Sequence, residues 1–574
     1  MSVIGIDLGT TNSLVAVFEN GTSKIIRGSA GEVLTPSAVS VDEDGLILVG
    51  AAAKERAISH PQHTATDFKR FMGTDKQFIL GDKRFTAEAL SSFVLRKLVQ
   101  DAERYLGTTV SEAIISVPAY FNNRQRDATK AAAALAGLAC KRIVNEPSAA
   151  ALAVRMLNLD TEECYLVFDF GGGTLDISVV DCFENIIEIV AVCGDNHLGG
   201  IDFDLSLATE LCRRHSVHFD TLDEGDRASL LKSSALGKEA LSRSEKVLLT
   251  FVLEGTELSM PLSNGLLIEL NKPLFSKMKA LIAKVLLDSG RTTADITDVI
   301  MVGGSCHMPC IREFLTHTLQ RQIRVPQELD LLVAKGIGNY IGIKERAQEI
   351  EDLMMTDVCP FSLGVDILNR NERLDDTKGS LMSFVIERNS VLPTEASRRY
   401  VTARDNQDRM HFEIYQGENY YVNQNIKIGE ISIDVPKAPA GREGAIITFR
   451  YDINSILDIK VVNSTTGNEA HMVIQQSGHA MTPEQIEQKR NELDALRLIP
   501  YENEENRAAM AYAERLYSET SEGLREHIGF LLDGFHRALC SSSPIAIVKA
   551  RRDLLARLHA IEQECFGGLL IDED

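Results

Sequence analysis

Tryptophan is absent from this sequence of 574 residues, and so is any long apolar run. A helix that crosses a bilayer needs roughly 18 or more consecutive apolar residues, so we predict no membrane span and no membrane partner. The first residues, MSVIGIDLGTTNS, also lack the basic start and the apolar stretch of a secretory signal. The sequence therefore predicts a cytoplasmic protein.

Basic residues are too few to balance the acidic ones. The sequence has 60 lysines and arginines against 82 aspartates and glutamates, which gives a formal charge of -22. A surface of this sign repels phosphate backbones and anionic lipids. We therefore expect no nucleic acid as a main partner.

Ten cysteines occur without a single Cys-x-x-Cys pair. Neither a disulfide framework nor a zinc site is indicated by such scattered positions. Cys306 and Cys310 flank His307, but further ligands at metal spacing are missing nearby. We interpret the cysteines as buried, reduced thiols.

The length exceeds what one core supports, because single hydrophobic cores stop growing at about 250–300 residues. Residues 1–351 alternate short β-branched runs with helical stretches, which predicts an α/β domain. An acidic and apolar segment, 352–357, is interpreted as a linker. Residues 358–478 alternate apolar and polar positions between turn residues, which is typical of a β-sandwich. Residues 479–574 are charged and helical in pattern, with a helix start at Thr482-Pro483.

A weak internal repeat lies in the first domain. IGIDLGTTNS (residues 4–13) and VFDFGGGTLD (167–176) each combine an apolar strand, an aspartate and a tight turn rich in Gly and Thr. Glycines in such a turn let backbone N–H groups approach phosphate oxygens, and threonine hydroxyls donate hydrogen bonds. Asp7 and Asp169 would face each other across a cleft and hold hydrated Mg²⁺. One turn alone is equally typical of an ordinary hairpin, whereas the pair favours a polyphosphate site.

A third glycine pair, Gly303-Gly304, follows the apolar run 299–302. Backbone without side chains would let a nucleoside lie where a Cβ atom would clash. Together the three glycine-rich segments predict one ligand, a magnesium-bound nucleotide.

The order of these motifs along the chain resembles that of the 70-kilodalton heat-shock chaperones, the DnaK family. The resemblance covers nearly the whole chain, and the segments 356–367 and 415–419 are most similar to the HscC-type branch. The matching motifs are IGIDLGTTNS (4–13), ISVPAYF (115–121), NEPSAA (145–150), FDFGGGTLD (168–176), GDNHLGG (194–200), VGGS (302–305) and the linker.

The resemblance implies an ATP-dependent chaperone with a two-lobed, actin-like and ribonuclease-H-like ATPase domain, a linker, a β-sandwich that binds peptide, and a short helical lid. Its cofactors would be ATP or ADP and Mg²⁺, with K⁺ as a further candidate cation. Its partners would be unfolded or extended hydrophobic polypeptides and a J-domain co-chaperone, while the exchange factor stays open.

Residue by residue, the resemblance assigns catalysis of ATP hydrolysis to Asp7, Lys69, Glu146, Thr174 and Asp176. It assigns Mg²⁺, mainly through water, to Asp7 and Asp169. It assigns nucleotide binding to Gly9, Thr10, Thr11, Asn12, Gly171, Gly172, Gly173, Thr174, Gly199, Gly200, Lys238, Ser242, Gly303, Gly304, Ser305, His307 and Asp330. From the sequence alone, Lys69 is a surface lysine beside Arg70.

Three positions depart from the family's usual pattern. Ala235 stands where the family has Glu, and His307 stands where it has an Arg that stacks on adenine. An imidazole can stack, but it lacks the permanent charge and the five donors of guanidinium, so we expect weaker nucleotide binding. Ile201 replaces the usual Glu after the glycine pair, which leaves recognition by the usual exchange factor open.

The resemblance also assigns a peptide channel to Val365, Ile367, Leu368, Tyr400, Ala403, Met410 and Phe412. Alternating apolar residues in a sandwich belong in most cases to its core, and only the resemblance separates these residues from core. It assigns the coupling between the two domains to Pro118, Arg126, Arg142, Leu353, Met354, Met355 and Asp357. Without the family, Pro118 only ends a strand and the two arginines are solvated.

Two rival interpretations share the phosphate turns. A sugar kinase would need a polar sugar pocket in the cleft and would have no use for a sandwich. A non-enzymatic relative would bind ATP only to hold its shape and serve other chaperones as an exchange factor. Lys69, Thr174, Asp176 and the apolar linker favour hydrolysis.

Overall fold

The computed structural model describes residues 2–566, except 30, 157–161, 184–185, 324–327, 346–353, 368–379, 454–455, 475–480, 497, 499–500, 521 and 541–542. Leu353 and Leu368 lie outside the described residues. No helix within these ranges has the length and apolar character needed to cross a membrane.

The first lobe is built on one mixed sheet with the strand order β11-β10-β1-β2-β3. Strands β1 and β10 run parallel, and β1 and β2 form an antiparallel hairpin. The elements are β1 (Ser2–Asp7), β2 (Asn12–Glu19), β3 (Thr22–Ile25), β4 (Thr35–Pro36), β5 (Val39–Val41), β6 (Ile47–Val49), α1 (Ala51–Ser59), β7 (Thr64–Ala65), β8 (Phe78–Leu80), β9 (Lys83–Phe85), α2 (Ala87–Leu106), β10 (Val110–Val117), α3 (Asn123–Leu135), β11 (Ala139–Asn145) and α4 (Glu146–Arg155).

The second lobe repeats this plan with the strand order β17-β12-β13-β14. Strands β12 and β13 form the antiparallel hairpin, and β12 and β17 run parallel. The elements are β12 (Glu163–Phe170), β13 (Leu175–Phe183), β14 (Ile186–Asp195), α5 (Gly200–Arg214), α6 (Glu224–Ala240), β15 (Lys246–Leu253), β16 (Thr256–Ser263), α7 (Asn264–Leu270), α8 (Lys272–Ser289), β17 (Asp298–Val302), α9 (Pro309–Leu319) and α10 (Leu332–Lys344). The two motifs of the predicted repeat therefore lie on equivalent hairpins.

Helices α4 and α10 pack against each other between the two sheets. Small residues make this possible, since α4 presents the fully buried Ala149, Ala150 and Ala151. The same hydrophobic cluster includes Val167 of β12 and Ile337 of α10. The lobes are thus joined at the back, and a cleft lies between the two hairpins.

A short strand, β18 (Met354–Thr356), follows the first domain and pairs in parallel with β14. It extends the sheet of the second lobe at its edge. The described part of the segment predicted as a linker is therefore docked on the first domain in this structure. The side chain of Met355 packs against the cluster between the lobes, whereas Met354 is 59% exposed.

Two four-stranded antiparallel sheets form the sandwich, as its alternating pattern predicted. Their strand orders are β20-β19-β22-β23 and β21-β24-β25-β26. The burial of β22 alternates, with Met410, Phe412 and Ile414 inward and His411 outward. The strands are β19 (Leu363–Ile367), β20 (Leu381–Ile386), β21 (Thr394–Val401), β22 (Arg409–Gln416), β23 (Ile426–Asp434), β24 (Gly444–Tyr451), β25 (Leu457–Asn463) and β26 (Glu469–Ile474).

The chain ends in helices α11 (Pro483–Asp494), α12 (Tyr501–Glu519), α13 (Glu522–Leu539) and α14 (Pro544–Phe566). The predicted helix start is correct: Thr482 caps α11, and Thr482 and Gln485 form a reciprocal capping box. Helix α11 packs on α3, and α12 packs on α1 of the first lobe. Helices α11 and α12 therefore lie on the first domain in this structure, and α13 and α14 pack on α12.

The interpretation of the cysteines as buried thiols is only partly correct. Cys140 and Cys164 are half-buried and Cys540 is exposed, while Cys182, Cys193, Cys212, Cys306, Cys310 and Cys359 are buried. The described thiols are all free. Burial raises the pKa of Cys193 to about 12, so this thiol stays protonated at neutral pH.

Candidate functional site

The two glycine-rich turns meet at the centre of the cleft. A Cβ atom added at Gly172 would lie 1.9 Å from Oγ1 of Thr11, and one added at Gly173 would lie 2.7 Å from Cγ2 of Thr10. Such distances leave room only for glycine. The backbone N–H of Gly171 donates to the carbonyl of Thr174 at 3.1 Å and closes the second turn. The predicted phosphate-binding residues of both hairpins therefore converge, including Gly9 and Asn12 of the first turn.

A third backbone segment joins these turns. The N–H of Gly200 donates to the carbonyl of Gly171 at 3.0 Å. The carbonyl of Gly172 lies beside Gly199, where an added Cβ would approach it to 2.3 Å. Helix α5 begins at Gly200, so its N-terminal end points toward the turns. The structure thus brings Gly199 and Gly200 to the same site as the two hairpins.

Lys69 is buried, contrary to its interpretation as a surface lysine. It lies in a short 3-10 turn, Phe68–Phe71, and its Nζ donates to Oε1 of Glu146 at 3.0 Å. Their side chains are only 4% and 8% exposed. Nζ also lies 5.5 Å from the ring centre of Phe121. The ammonium is therefore held in one place by a carboxylate and an aromatic ring.

Three further carboxylates share the buried cluster. Burial and the charge of Glu146 raise the pKa of Asp7 to about 7 and the pKa of Asp176 to about 7. Burial and the nearby carboxylates raise the pKa of Asp169 well above its ordinary value. A charge that costs this much to bury favours a cation between the carboxylates.

The carboxylates are oriented by specific donors. Ser116 Oγ donates to Oδ1 of Asp7 at 2.9 Å, and the N–H of Tyr120 donates to Oδ1 of Asp176 at 2.9 Å. Oδ2 of Asp176 is buried and accepts no hydrogen bond from the described residues. An all-oxygen donor set with an unused, buried lone pair fits hydrated Mg²⁺, which takes one or two protein oxygens and keeps its waters.

The predicted nucleoside side lies next to the second turn. Ser305 Oγ donates to the carbonyl of Gly171 at 2.7 Å. Gly303 adopts φ +85, and an added Cβ would lie 2.7 Å from the carbonyl oxygen of Phe170. Lys238 Nζ donates to the carbonyl of Gly200 at 3.0 Å and pairs with Asp204 at 2.7 Å.

His307 and Asp330 form a pair beside this glycine segment. Nε2 of His307 lies 3.3 Å from Oδ2 of Asp330, and the histidine side chain is 45% exposed. Oδ1 of Asp330 would lie 3.2 Å from a Cβ added at Gly304. Ser242, on the other side, is exposed after the end of α6. The imidazole of His307 is therefore only partly enclosed by the protein.

A chain of hydrogen bonds connects the linker to the carboxylate cluster. Asn145 Nδ2 donates to Oδ2 of Asp357 at 2.5 Å, and Arg126 donates to Oδ1 of Asn145 at 2.7 Å. Arg126 also donates to the carbonyls of Phe121 and Ala119, on either side of Tyr120, whose N–H reaches Asp176. Arg126 is buried, so its interpretation as a solvated residue is wrong.

The other predicted coupling residues lie near this chain. Pro118 follows directly after β10 and begins the segment that holds Ala119 and Tyr120. Arg142, on β11, is half-buried, with its guanidinium 5.6 Å from the ring centre of Tyr340. Its charge and that of Arg126 act on Asp357, whose pKa is raised overall by burial.

The predicted peptide-channel residues lie in the sandwich. Val365, Met410 and Phe412 belong to its hydrophobic core, and the ring of Tyr400 packs against Phe412 with 5.6 Å between ring centres. Ile367 ends β19, and Ala403 is exposed in the loop after β21. Three of the predicted channel residues are therefore core residues in this structure, and Tyr400 packs against that core.

Sequence reasoning missed Ser116, Tyr120 and Asn145. Ser116 is a fully buried polar residue near the end of an apolar strand, a signal that could have been noticed. Tyr120 acts through its backbone N–H, and a backbone role leaves no signal in residue type. Asn145 acts through its side-chain amide, but its partner Asp357 lies far away in the sequence.

The protein has two lobes with equivalent hairpins, a buried carboxylate cluster and a docked linker strand. These features define a class of two-lobed, ATPase-like proteins that are joined to a sandwich. The sequence model of the Hsp70 protein family matches residues 3–80 and 76–538. The chain therefore belongs to the Hsp70 family. Members of this family are ATP-dependent chaperones that hydrolyse ATP with Mg²⁺ and bind unfolded polypeptides and J-domain partners.

Proposed function

We propose that this chain is a chaperone that binds and releases extended hydrophobic segments of unfolded proteins, and that hydrolysis of ATP in the cleft controls the release. The observation that carries the proposal is the hydrogen-bonded chain from Asp357 through Asn145 and Arg126 to the 119–121 segment and Asp176. It links the end of the docked linker to the carboxylates that surround the phosphate turns.

In this proposal the two turns hold the phosphates by their backbone N–H groups and by the hydroxyls of Thr10, Thr11 and Thr174. Mg²⁺, held mainly through water by Asp7 and Asp169, would supply positive charge against the phosphate oxygens. Lys69 orients the attacking water and offsets charge on the γ-phosphoryl group, because positioning and electrostatics dominate this chemistry. Glu146 holds the ammonium group of Lys69, with 3.0 Å between Nζ and Oε1. Asp176 accepts a hydrogen bond from the attacking water.

Coupling follows from differential binding. A linker strand paired with β14 stabilises the docked arrangement, and ATP favours it if the nucleotide binds the docked state more tightly. The sandwich then opens or closes its peptide channel according to whether it is docked. Val365, Ile367, Tyr400, Ala403, Met410 and Phe412 would line that channel, with main-chain groups of the peptide bound by loop backbone.

Partners and subtype are part of the same proposal. The chain is proposed to be HscC-like, to act in the cytoplasm and to be stimulated by a J-domain partner that contacts Arg142. The domain boundaries after residues 351, 357 and 478 remain predictions. Ile201 leaves the usual exchange factor open.

A different observation disfavours each of the two alternative functions. A sugar kinase gives no role to a docked strand β18 or to the Asp357 chain. A non-enzymatic relative has no need of an ammonium held at 3.0 Å from Glu146 beside the phosphate turns. Both observations favour the hydrolysing chaperone.

One experiment separates all three. Single-turnover hydrolysis of ATP is measured with and without an unfolded peptide, and the dissociation of a fluorescent peptide is measured with ATP and with ADP. We expect hydrolysis stimulated by peptide and faster peptide release with ATP. Hydrolysis that requires a sugar, or no hydrolysis at all, would contradict the proposal.

A further inference from the structure

Helix α12 is tied to the first lobe through α1. Arg515 Nε contacts Oε2 of Glu55, and Arg56 Nη1 lies 3.9 Å from Oε2 of Glu514. The side chain of Arg515 is only 3% exposed. Its guanidinium also donates to Glu519 at 2.6 Å and to Glu562 of α14 at 2.6 Å. Removing this residue would leave three carboxylates near one another without their common cation.

The same helix is also tied to the second lobe. Nζ of Lys232, on α6, lies 3.4 Å from both carboxylate oxygens of Glu519. The two side chains are 26% and 10% exposed, so solvent screens this pair only partly. Burial lowers the pKa of Lys232, whereas the carboxylates of Glu519, Glu55 and Glu562 act in the opposite direction.

These contacts form one continuous bridge between the lobes. It runs from Glu55 of the first lobe through Arg515 and Glu519 of α12 to Lys232 of the second lobe. Helices α1 and α6 themselves contact each other. Helix α6 also carries Lys238, which lies against Gly200 at the predicted nucleotide site. We call this four-residue bridge the clasp.

We propose that the clasp holds the two lobes together beside the nucleotide cleft, so that docking of α12 slows the release of the bound nucleoside triphosphate. This inference rests on the proposed function, because it requires a nucleotide between the lobes. The helical end of the chain would thus regulate nucleotide release as well as the peptide site.

The physical reason is that a ligand enclosed by two lobes leaves only when they separate. A helix that binds both lobes interacts favourably only with the closed arrangement and therefore shifts the equilibrium toward it. The coupling is reciprocal, so a nucleotide that closes the lobes also favours docking of α12. If hydrolysis weakens the closed arrangement, α12 undocks by the same coupling, and the diphosphate is then released without the clasp.

The first test uses the full chain and fluorescent methylanthraniloyl-ATP and methylanthraniloyl-ADP, chased by unlabelled nucleotide in a stopped-flow instrument. In Lys232→Gln, the dissociation rate of the triphosphate, measured in the first seconds, should rise roughly threefold to tenfold. This range is expected when a partly buried ion pair is removed. Release of the diphosphate should stay unchanged. Glu55→Gln should give the same pattern, because the clasp joins the lobes only when its contacts to both lobes are present.

The matched control is Lys279→Gln, an exposed lysine of α8 in the same lobe, which should release both nucleotides like the wild type. A double variant, Lys232→Gln with Glu519→Gln, should release the triphosphate no faster than the faster single variant, because one bridge is broken in each case. Additive effects would overturn the clasp.

The second test needs no kinetics. A water-soluble carbodiimide joins an amine to a carboxylate only in direct contact, so it should link Lys232 to Glu519 with ATP and not with ADP, as read by mass spectrometry of the digested chain. Failure of the chain to bind either nucleotide would overturn the proposed function together with the clasp. Normal binding with unchanged triphosphate release in Lys232→Gln and Glu55→Gln would overturn the clasp alone.

Discussion

The hydroxyl of Tyr451, in the core of the sandwich, donates a hydrogen bond to Oδ1 of Asn123, the first residue of α3, at 3.0 Å. The side-chain amide of Gln416, also of the sandwich, accepts a hydrogen bond from the backbone N–H of Asn123 at 3.0 Å and donates one to its Oδ1 at 3.2 Å. The three residues are buried. A core residue of the sandwich is thereby bonded directly to the domain that carries the phosphate turns.

Tyr451→Phe should therefore weaken docking without weakening the sandwich. The ring stays in the core, and Asn123 still bonds to Gln416. Loss of the hydrogen bond to Asn123 should cost about 0.5–1.5 kcal/mol. Hydrogen exchange of the strand 354–356 in the presence of ATP should become faster. Tyr420→Phe, at a side chain that is 63% exposed, is the control, and exchange rates equal to the wild type in both variants would contradict the idea.

Lys69→Ala should abolish hydrolysis while sparing ATP binding. The ammonium acts on charge that develops during phosphoryl transfer, so its loss should slow single-turnover hydrolysis by roughly 10²–10³-fold. Isothermal titration should show ATP binding within about threefold of the wild type, because the turns bind phosphate mainly through backbone groups. Lys272→Ala removes the charge of an exposed lysine at the start of α8. It is the control for the loss of one positive charge from the protein. A variant that hydrolyses normally would remove Lys69 from the mechanism.

Met355→Asp should uncouple the two domains. Its side chain packs against the cluster between the lobes, and a buried carboxylate without a partner strongly disfavours docking. Peptide should no longer stimulate ATP hydrolysis, while ATP still binds. The same substitution at Leu353 is expected to act alike, although that residue lies outside the described ones.

Met354→Asp offers a matched control on the same strand, because Met354 is 59% exposed. It should retain at least half of the stimulation by peptide. Equal losses in both variants would mean that added charge, rather than docking, is responsible.

His307→Arg should tighten ATP binding by roughly threefold to tenfold, since guanidinium stacks on the adenine ring with a permanent charge. Asp330, 3.3 Å from the imidazole, would then have a permanently charged partner. Isothermal titration of the wild type and the variant measures the change. Equal or weaker affinity in the variant would show that the histidine does not limit binding.

The carboxylate cluster should make the nucleotide-free protein less stable as pH rises. The pKa of Asp176 is raised to about 7 in the folded state, so folding takes up a proton and the favourable protonated form is lost as pH rises through 7. Between pH 6 and pH 8 this costs on the order of 1 kcal/mol. Asp176→Asn should therefore melt higher than the wild type, by a margin that is larger at pH 8 than at pH 6. Calorimetry without Mg²⁺ and nucleotide measures the margin, and a margin independent of pH would contradict the assignment.

Much of the fold could be predicted because it follows local rules. Alternation of period two made β22 a half-buried strand, and Thr482-Pro483 marked the start of α11. The repeated Asp and Gly/Thr turns placed both hairpins correctly, since only such residues permit the close approach seen between Thr11 and Gly172. Neither of the two segments indicates by itself that its turn contacts the turn of the other segment.

The site was predicted less completely, for two physical reasons. Lys69 looks like any surface lysine, because its burial depends on Glu146, 77 residues away in sequence. Tyr120 contributes a backbone N–H, which every residue but proline has. The predicted peptide-channel residues Val365 and Phe412 share their apolar pattern with the core, so residue type cannot separate the two roles.

What the sequence by itself determined is the set of elements and the kind of ligand: two phosphate turns, a sandwich and a helical end, each encoded by short-range pattern. Only the tertiary structure decided where those pieces lie. The pairing of β18 with β14, the bond from Tyr451 to Asn123, and the bridge from Glu55 through Arg515 and Glu519 to Lys232 join residues far apart in the chain. Such contacts depend on complementary surfaces brought together by folding. The local sequence pattern of one segment does not indicate which distant segment it will contact.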